Sequence, residues 1–345
     1  MSTPSPSASI STGDPVLKVQ DLRAYLDTAQ GPIRAVDGVS FELSAGETVC
    51  LVGESGCGKS MTALALMGLL PRPAGRIVGG SVALAGEGDL VKLDFPALRR
   101  IRGRAMSMVF QEPMTSLNPV FRIGWQIAEA IRVHEAVDRS QARQRAIELL
   151  DLVGIASPQT RCDAFPHQLS GGMRQRAMIA MALACRPRVI LADEPTTALD
   201  VTIQAQILRL LNRLKREVGA ALLLITHDLG VVAQMAQRVC VMYAGVIVEQ
   251  AEVKVLFSRP LHPYTRGLLA SMPGGRGSAG TRRRLATIAG IVPALNRLPR
   301  GCRFADRCEQ VHERCRAEEP PLEALSSGSS GYHALRCWIR PDRSS

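Results

Sequence analysis

The chain has 345 residues, of which 46% are apolar and 21% charged, so intrinsic disorder is excluded and a sizeable core is available. At roughly 150 residues per domain, this length implies about two domains, or one with a large appendage. Basic residues outnumber acidic ones 42 to 31, for a net charge of +11, but only five of the 42 are Lys. The excess is scattered Arg, apart from Arg282-Arg283-Arg284, with no interleaved aromatic stripe, which argues against nucleic acid as a partner.

Residues 1–15 are rich in Ser, Thr and Pro and read as a loose tail. They show no basic-then-apolar export pattern, and no apolar run reaches the ~18 residues of a membrane span, so a cytosolic chain is expected. Val16–Val19 and Ile33–Val36 read as short strands, and Glu47–Val52 is a β-branched run that stops at Gly53. Met61–Leu70 reads as a helix closed by Pro71-Arg72-Pro73. From Phe95 to Leu169 the pattern turns mostly helical, for example over Ser140–Val153, with a strand-like Ala105–Phe110. Buried strands are predicted at Val189–Ala192, Ala221–Thr226 and Arg238–Tyr243, with a helix over Thr202–Glu217 between the first two. This alternation predicts a parallel sheet covered by helices, an α/β fold. Beyond about Pro260 the texture shifts to Pro, Gly, Arg and Cys, and no internal repeat is present.

The strand–loop–helix at Gly53-Glu54-Ser55-Gly56-Cys57-Gly58-Lys59-Ser60 fits the phosphate-loop pattern G-x-x-x-x-G-K-[ST]. Glycines let the backbone wrap so that successive N–H groups face phosphate oxygens, and the following helix offers its positive end. Lys59 is placed to reach the β/γ-phosphates and Ser60 to ligate Mg²⁺. The candidate nucleotide-binding residues run from Gly53 through Met61. The run Val189–Ala192 ends in Asp193-Glu194. Beside a phosphate loop, Asp193 would hold Mg²⁺ through its water shell and Glu194 would orient and polarise the attacking water. Leu169-Ser170-Gly171-Gly172-Met173 opens a further helical run. On its own, this is an ordinary N-cap.

In this order, the three motifs resemble the signature of ATP-binding-cassette (ABC) ATPases. The resemblance implies a P-loop NTPase core with a helical subdomain. It assigns 16–259 to the ATPase domain, with a helical insertion at about 95–169, and 260–345 to a Cys-containing C-terminal extension. In that family the Ser and glycines at 170–172 bind the γ-phosphate of ATP held by the opposite subunit. Gln111 resembles the glutamine that touches Mg²⁺ and water, His227 the switch histidine, and Asp200 the loop that links the two sites. The adenine-stacking aromatic corresponds to Tyr25 or, in the other register, falls on Leu26.

Gln111-Glu112-Pro113-Met114-Thr115-Ser116-Leu117-Asn118-Pro119, with His262-Pro263-Tyr264-Thr265 and Gly301-Cys302, resembles more narrowly the ATP-binding subunits of oligopeptide/dipeptide importers. Peptide import driven by ATP is then expected, with nickel, glutathione or another small solute as alternative cargo; the rival class, a soluble ABC ATPase acting on nucleic acid or ribosomes, usually carries two cassettes or a long coiled-coil insertion. The implied partners are two transmembrane permease subunits, a second, paralogous ATPase subunit and, indirectly, an extracytoplasmic binding protein, at the cytoplasmic face of the membrane. Cys302, Cys308, Cys315 and Cys337 are separated by five, six and 21 residues, unlike the short pairs of common zinc sites. The resemblance implies a [4Fe–4S] cluster; Zn²⁺, with His312 or His333 replacing one thiolate, and free thiols remain the alternatives. Cys57 is expected to serve as a small residue, or to confer thiol sensitivity if its sulfur is accessible.

Overall fold

A computed structural model describes residues 15–197, 199–272, 287–325 and 332–339. The tail at 1–14, Ala198 and Arg282-Arg283-Arg284 lie outside the described residues. β1 (Leu17–Leu26) and β2 (Ile33–Leu43) pair antiparallel, and β3 (Thr48–Val52) runs through the loop at 53–58 into α1 (Lys59–Leu66). β4 (Gly75–Leu84) returns along β1, with β5 (Gly88–Asp89) on its edge, so that one sheet has the order β2-β1-β4-β5. α2 (Phe95–Ile101) leads into β6 (Met106–Val109). A helical region then holds α3 (Pro113–Ser116), α4 (Ile123–His134), α5 (Arg139–Leu152) and α6 (Pro158–Cys162) before α7 (Gly171–Leu183). β7 (Val189–Asp193), α8 (Val201–Val218), β8 (Ala221–Thr226), α9 (Leu229–Met235), β9 (Arg238–Tyr243) and β10 (Val246–Glu252) complete the alternation.

The second sheet has five parallel strands in the order β9-β3-β8-β7-β6. Strand periodicity divides it into two cores. Cys50, Val52, Ile190, Ala192, Leu222 and Leu224 face helices α4, α5, α7, α8 and α9. Their neighbours Val49, Leu51, Val189, Leu191, Leu223 and Ile225 face α1 and the antiparallel sheet. Helices α4, α5, α7, α8 and α9 therefore cover one face, whereas the other carries α1 beside the antiparallel sheet, closed by β1, β2 and β4 through Leu17, Val39, Phe41 and Val82. Six-residue β8 is fully buried, which its unbroken Ala-Leu-Leu-Leu-Ile-Thr composition requires.

The extension does not stand apart. After α10 (Val253–Ser258) and α11 (Pro263–Ala270), the chain forms α12 (Glu313–Ala317), β11 (Glu323–Ala324) and β12 (His333–Leu335). β12 pairs antiparallel with β10 and continues the sheet that holds the parallel strands. The junction is fastened by Glu249, which has no exposed surface and accepts from the Leu261 and His262 amides at 2.8 and 2.9 Å. Its Oε1 also lies 2.7 Å from His333 Nε2. A buried carboxylate with this many partners stays ionised, and the carboxyl of Glu249 is held below its usual range although burial alone would raise it.

Candidate active site

The groups singled out at 53–61, 111, 193–194 and 227 all leave the carboxyl ends of parallel strands β3, β6, β7 and β8, where α/β sheets place ligands. In the phosphate loop, Gly58 sits at φ +106°, and a Cβ there would lie 2.0 Å from the Ala35 carbonyl oxygen. Only glycine can occupy this crossing of loop and β2. Lys59 is buried, and its Nζ donates to the Gly53 and Glu54 carbonyls at 2.9 and 3.0 Å, inside the loop's own curve. Ser60 Oγ donates to Asp193 Oδ1 at 3.0 Å, bringing the two proposed Mg²⁺ partners together across 133 residues of sequence. Burial is the main cause that raises the Asp193 carboxyl above its usual range, and the neighbouring Glu194 charge adds to it. A hydroxyl and a desolvated carboxylate converging on one spot suit a hard divalent cation, which would relieve that desolvation.

Glu194 is the hub of the site. Its backbone is left-handed, at φ +43°, a conformation that costs about 1–3 kcal/mol for a residue with a side chain and turns its carboxylate out of the strand. Oε2 accepts from Gln111 Nε2 at 3.2 Å and from Thr197 Oγ1 at 2.9 Å. Oε1 lies 3.2 Å from His227 Nδ1. The carboxylate is thus aimed by three side chains, while its own side chain is 15% exposed. Thr197 was not among the sequence candidates. The only sequence signal is a hydroxyl three residues after the acid, in a turn that the Thr197 N–H closes on the Glu194 carbonyl.

Ser170 caps α7, accepting from the Met173 amide at 3.4 Å, and Ser170 and Gly171 are exposed. Gly172 and Gly171 face Ile203 and Leu199, so the open end of α7 lies beside the start of α8, which Asp200 caps through the Ile203 amide at 2.9 Å. Among the described residues, no hydrogen bond joins Ser170–Gly172 to the loop 53–60. The Tyr25 hydroxyl donates to Asp37 Oδ1 at 2.6 Å, and Arg34 lies over its ring at 5.9 Å. That cleft is shared with Arg303 and Tyr332 of the extension, and no residue of 53–61 lines it. Leu26 ends β1 opposite Ile33.

Cys57 is fully buried and burial pushes its thiol up, so the thiol sensitivity entertained from sequence is not supported; the residue fills space beneath the loop. Cys302, Cys308, Cys315 and Cys337 do gather. Burial above all, and then the other three sulfurs, pushes the Cys302 thiol up to about 12, and Cys308 and Cys337 are raised by burial and by Cys315. Yet among the described residues no three His, Cys, Asp or Glu side chains are arranged to hold a metal ion. The donor set is present in kind and neighbourhood but not in ligand geometry, so neither iron–sulfur nor zinc gains support from this arrangement. Two further residues reach the phosphate loop from the extension: Arg307, which was not read from sequence, and Tyr264, which figured there only within the 262–265 motif. Tyr264 Oη accepts from the Glu54 amide at 2.8 Å, and Arg307 Nη1 donates to Glu54 Oε2 at 2.9 Å.

With this geometry, known proteins can be compared. The sequence model of the ABC transporter family matches residues 36–197, and that of the oligopeptide/dipeptide transporter C-terminal region matches 248–315. A probable peptide ABC transporter ATP-binding protein of Sinorhizobium fredii is 51% identical over 94% of this chain and 95% of its own length. An oligopeptide transport ATP-binding protein of Bacillus subtilis is 50% identical over 94% of this chain and 96% of its own. A dipeptide transport ATP-binding protein of Escherichia coli is 49% identical over 91% and 94%, respectively. Among solved structures, a dimeric ATP-binding cassette in a post-hydrolysis state, bound to ADP and Pi, superposes with a TM-score of 0.62 at 28% identity, covering 69% of this chain and 98% of that one. The chain belongs to the ABC transporter ATPases, in the branch of ATP-binding subunits that carry the oligopeptide/dipeptide transporter C-terminal region.

Proposed function

We propose that this chain is the ATP-hydrolysing subunit that energises peptide import through a binding-protein-dependent ABC transporter, attached peripherally at the cytoplasmic face of the membrane. Residues 16–259 form the ATPase domain and 260–345 the extension. The carrying observation is the Glu194 carboxylate, fixed by Gln111, Thr197 and His227 one residue beyond the Ser60–Asp193 pair. A carboxylate held this way accepts a proton from a water as that water attacks phosphorus. Loop amides at 53–61 and the Lys59 ammonium take up the phosphate charge, and His227, exposed at the mouth, reaches the γ-phosphate. Mg²⁺, held by Ser60, Asp193 and Gln111, would supply charge neutralisation between the phosphates.

The open α7 end at Ser170–Gly172 serves a nucleotide bound by a second cassette, a paralogous subunit, with Asp200 beside that interface. ATP then favours the closed pair because its terminal phosphate touches both halves, and hydrolysis removes that preference. Permease contact falls to the segment after Gln111, where Met114, Val120, Phe121 and Trp125 are exposed, the last two stacked at 4.3 Å. Among the described residues no helix is long and apolar enough to cross a membrane, so the spanning subunits are separate chains in this account. The four thiols of the extension lack ligand geometry among the described residues, so neither [4Fe–4S] nor Zn²⁺ is taken up into this reading; iron, zinc and sulfide analysis after anaerobic purification decides between a metal centre and free thiols. No catalytic step depends on it.

The function is tested by reconstituting the chain with its two permeases and partner ATPase in vesicles. Peptide-loaded binding protein should stimulate ATP hydrolysis and drive peptide inward. Stimulation by nickel or glutathione carriers alone would reassign the cargo, and failure to assemble with permeases would overturn the importer role.

A further inference from the structure

The second residue of the phosphate loop, Glu54, is held at all three of its polar groups. Its carbonyl accepts from Lys59 Nζ within the loop at 3.0 Å, as expected for this motif. The other two holds come from the extension, more than 200 residues away. The Glu54 amide donates to Tyr264 Oη at 2.8 Å, and the carboxylate receives Arg307 at 2.9 Å. Neither extension residue has freedom to wander. Tyr264 is completely buried, with the Tyr243 ring 4.7 Å and the Phe304 ring 5.5 Å away. Arg307 is 5% exposed, lies over the Tyr243 and Phe304 rings, and donates to the Ala289 and Ile288 carbonyls at 2.9 and 3.2 Å. A guanidinium anchored at its other nitrogens transmits position rather than merely neutralising charge.

We propose that Tyr264 and Arg307 are positioning residues of the nucleotide site, fixing the phosphate loop through Glu54 so that full nucleotide affinity requires the docked extension. This rests on the assignment of 53–61 as the nucleotide-binding loop. An amide that donates to Tyr264 points away from the phosphates, which sets the turn that aims the following amides inward. Loss of either hold frees that peptide plane, and the loop must then be ordered at the expense of binding.

The experiment is an equilibrium titration of the full chain with a fluorescent ATP analogue and Mg²⁺, with circular dichroism and melting curves as fold controls. Tyr264→Phe and Arg307→Met should each raise Kd about tenfold, and Arg307→Lys should recover part of the loss. Glu54→Gln added to Arg307→Met should cost little more, because both remove one interaction. Should Tyr264→Phe or Arg307→Met fail to fold, the size-preserving Arg307→Lys and Glu54→Gln carry the test, each with a Kd raised at least threefold. Folded variants that bind within twofold of wild type, or losses at Glu54 and Arg307 that simply add, would overturn the proposal. Lys59→Ala separates the two levels: if it binds as well as wild type, the loop assignment itself fails. If Lys59→Ala loses binding while the extension variants keep it, only the positioning role fails.

Discussion

Arg303 gives the sharpest energetic expectation. Its side chain is 5% exposed and makes four charged or backbone bonds: to Asp37 Oδ2 at 2.6 Å, to the Ala244 carbonyl at 2.7 Å and to Glu319 Oε1 and Oε2 at 3.0 and 3.5 Å. It thereby ties the extension to β2 and to the turn between β9 and β10. Asp37 is itself 9% exposed, and burial would raise its carboxyl; the Tyr25 hydroxyl and Arg303 overcome this and hold it below the usual range. Arg303→Met keeps the bulk and removes the charge, leaving Asp37 with Tyr25 and the more distant Arg34 at 3.8 Å. Breaking one side of a buried pair costs about 3–5 kcal/mol, and the remaining partners put the expectation near the lower figure, about 3 kcal/mol. Because the bonds span a docking surface, the loss should be local opening, with amide exchange in 301–319 and at Gly245 faster by about 100-fold. Asp37→Asn added to Arg303→Met removes the stranded charge and should restore roughly half of the protection. Exchange within about threefold of wild type in Arg303→Met would refute the claim that this pair fastens the extension.

Two further expectations concern the loop and the docking surface. Gly58→Ala should abolish measurable nucleotide binding, whereas Gly56→Ala, at φ +77° but with no atom within 4 Å of a new Cβ, should cost only about 1 kcal/mol of stability; equal effects in titration and melting would contradict the steric account. His262 is fully buried, its Nδ1 accepts from the Tyr264 amide at 3.1 Å, and burial is the main cause that lowers its pKa to about 4. The folded ring therefore binds fewer protons than the unfolded one between about pH 6.5 and 4, so stability falls as pH drops through that window. His262→Asn should flatten the dependence of melting temperature on pH there, and an unchanged slope would exclude His262 as its source.

The catalytic strands were legible because burial on both faces forces unbroken apolar runs: 189–192, 221–226 and 238–243 stand within a residue of β7, β8 and β9. The antiparallel layer was less legible. β1 and β2 extend well past the four-residue runs that signalled them, and β4 was not predicted at all, because Gly75, Gly79 and Gly80 interrupt its apolar pattern although they sit in a strand packed closely on β1. That layer is why the face of the parallel sheet beside α1 is closed largely by strands rather than by helices. Motif spacing singled out Ser60, Asp193 and Glu194, which the structure brings together: Ser60 lies in the first turn of α1 after the loop from β3, and Asp193 and Glu194 stand at the end of β7. Spacing could not supply Thr197, Arg307 or the reach of Tyr264 from its 262–265 motif to the loop, because single side chains that arrive from a turn or from 210–253 residues away leave no periodic trace.

The central claim, that the carboxylate gripped by Gln111, Thr197 and His227 activates the water that attacks ATP, is tested most directly by Glu194→Gln in the assembled transporter. The amide keeps the shape and cannot take a proton, so ATP and Mg²⁺ should still bind with near wild-type affinity while phosphate release falls by about 100-fold or more. Hydrolysis at the wild-type rate with nucleotide bound would contradict it.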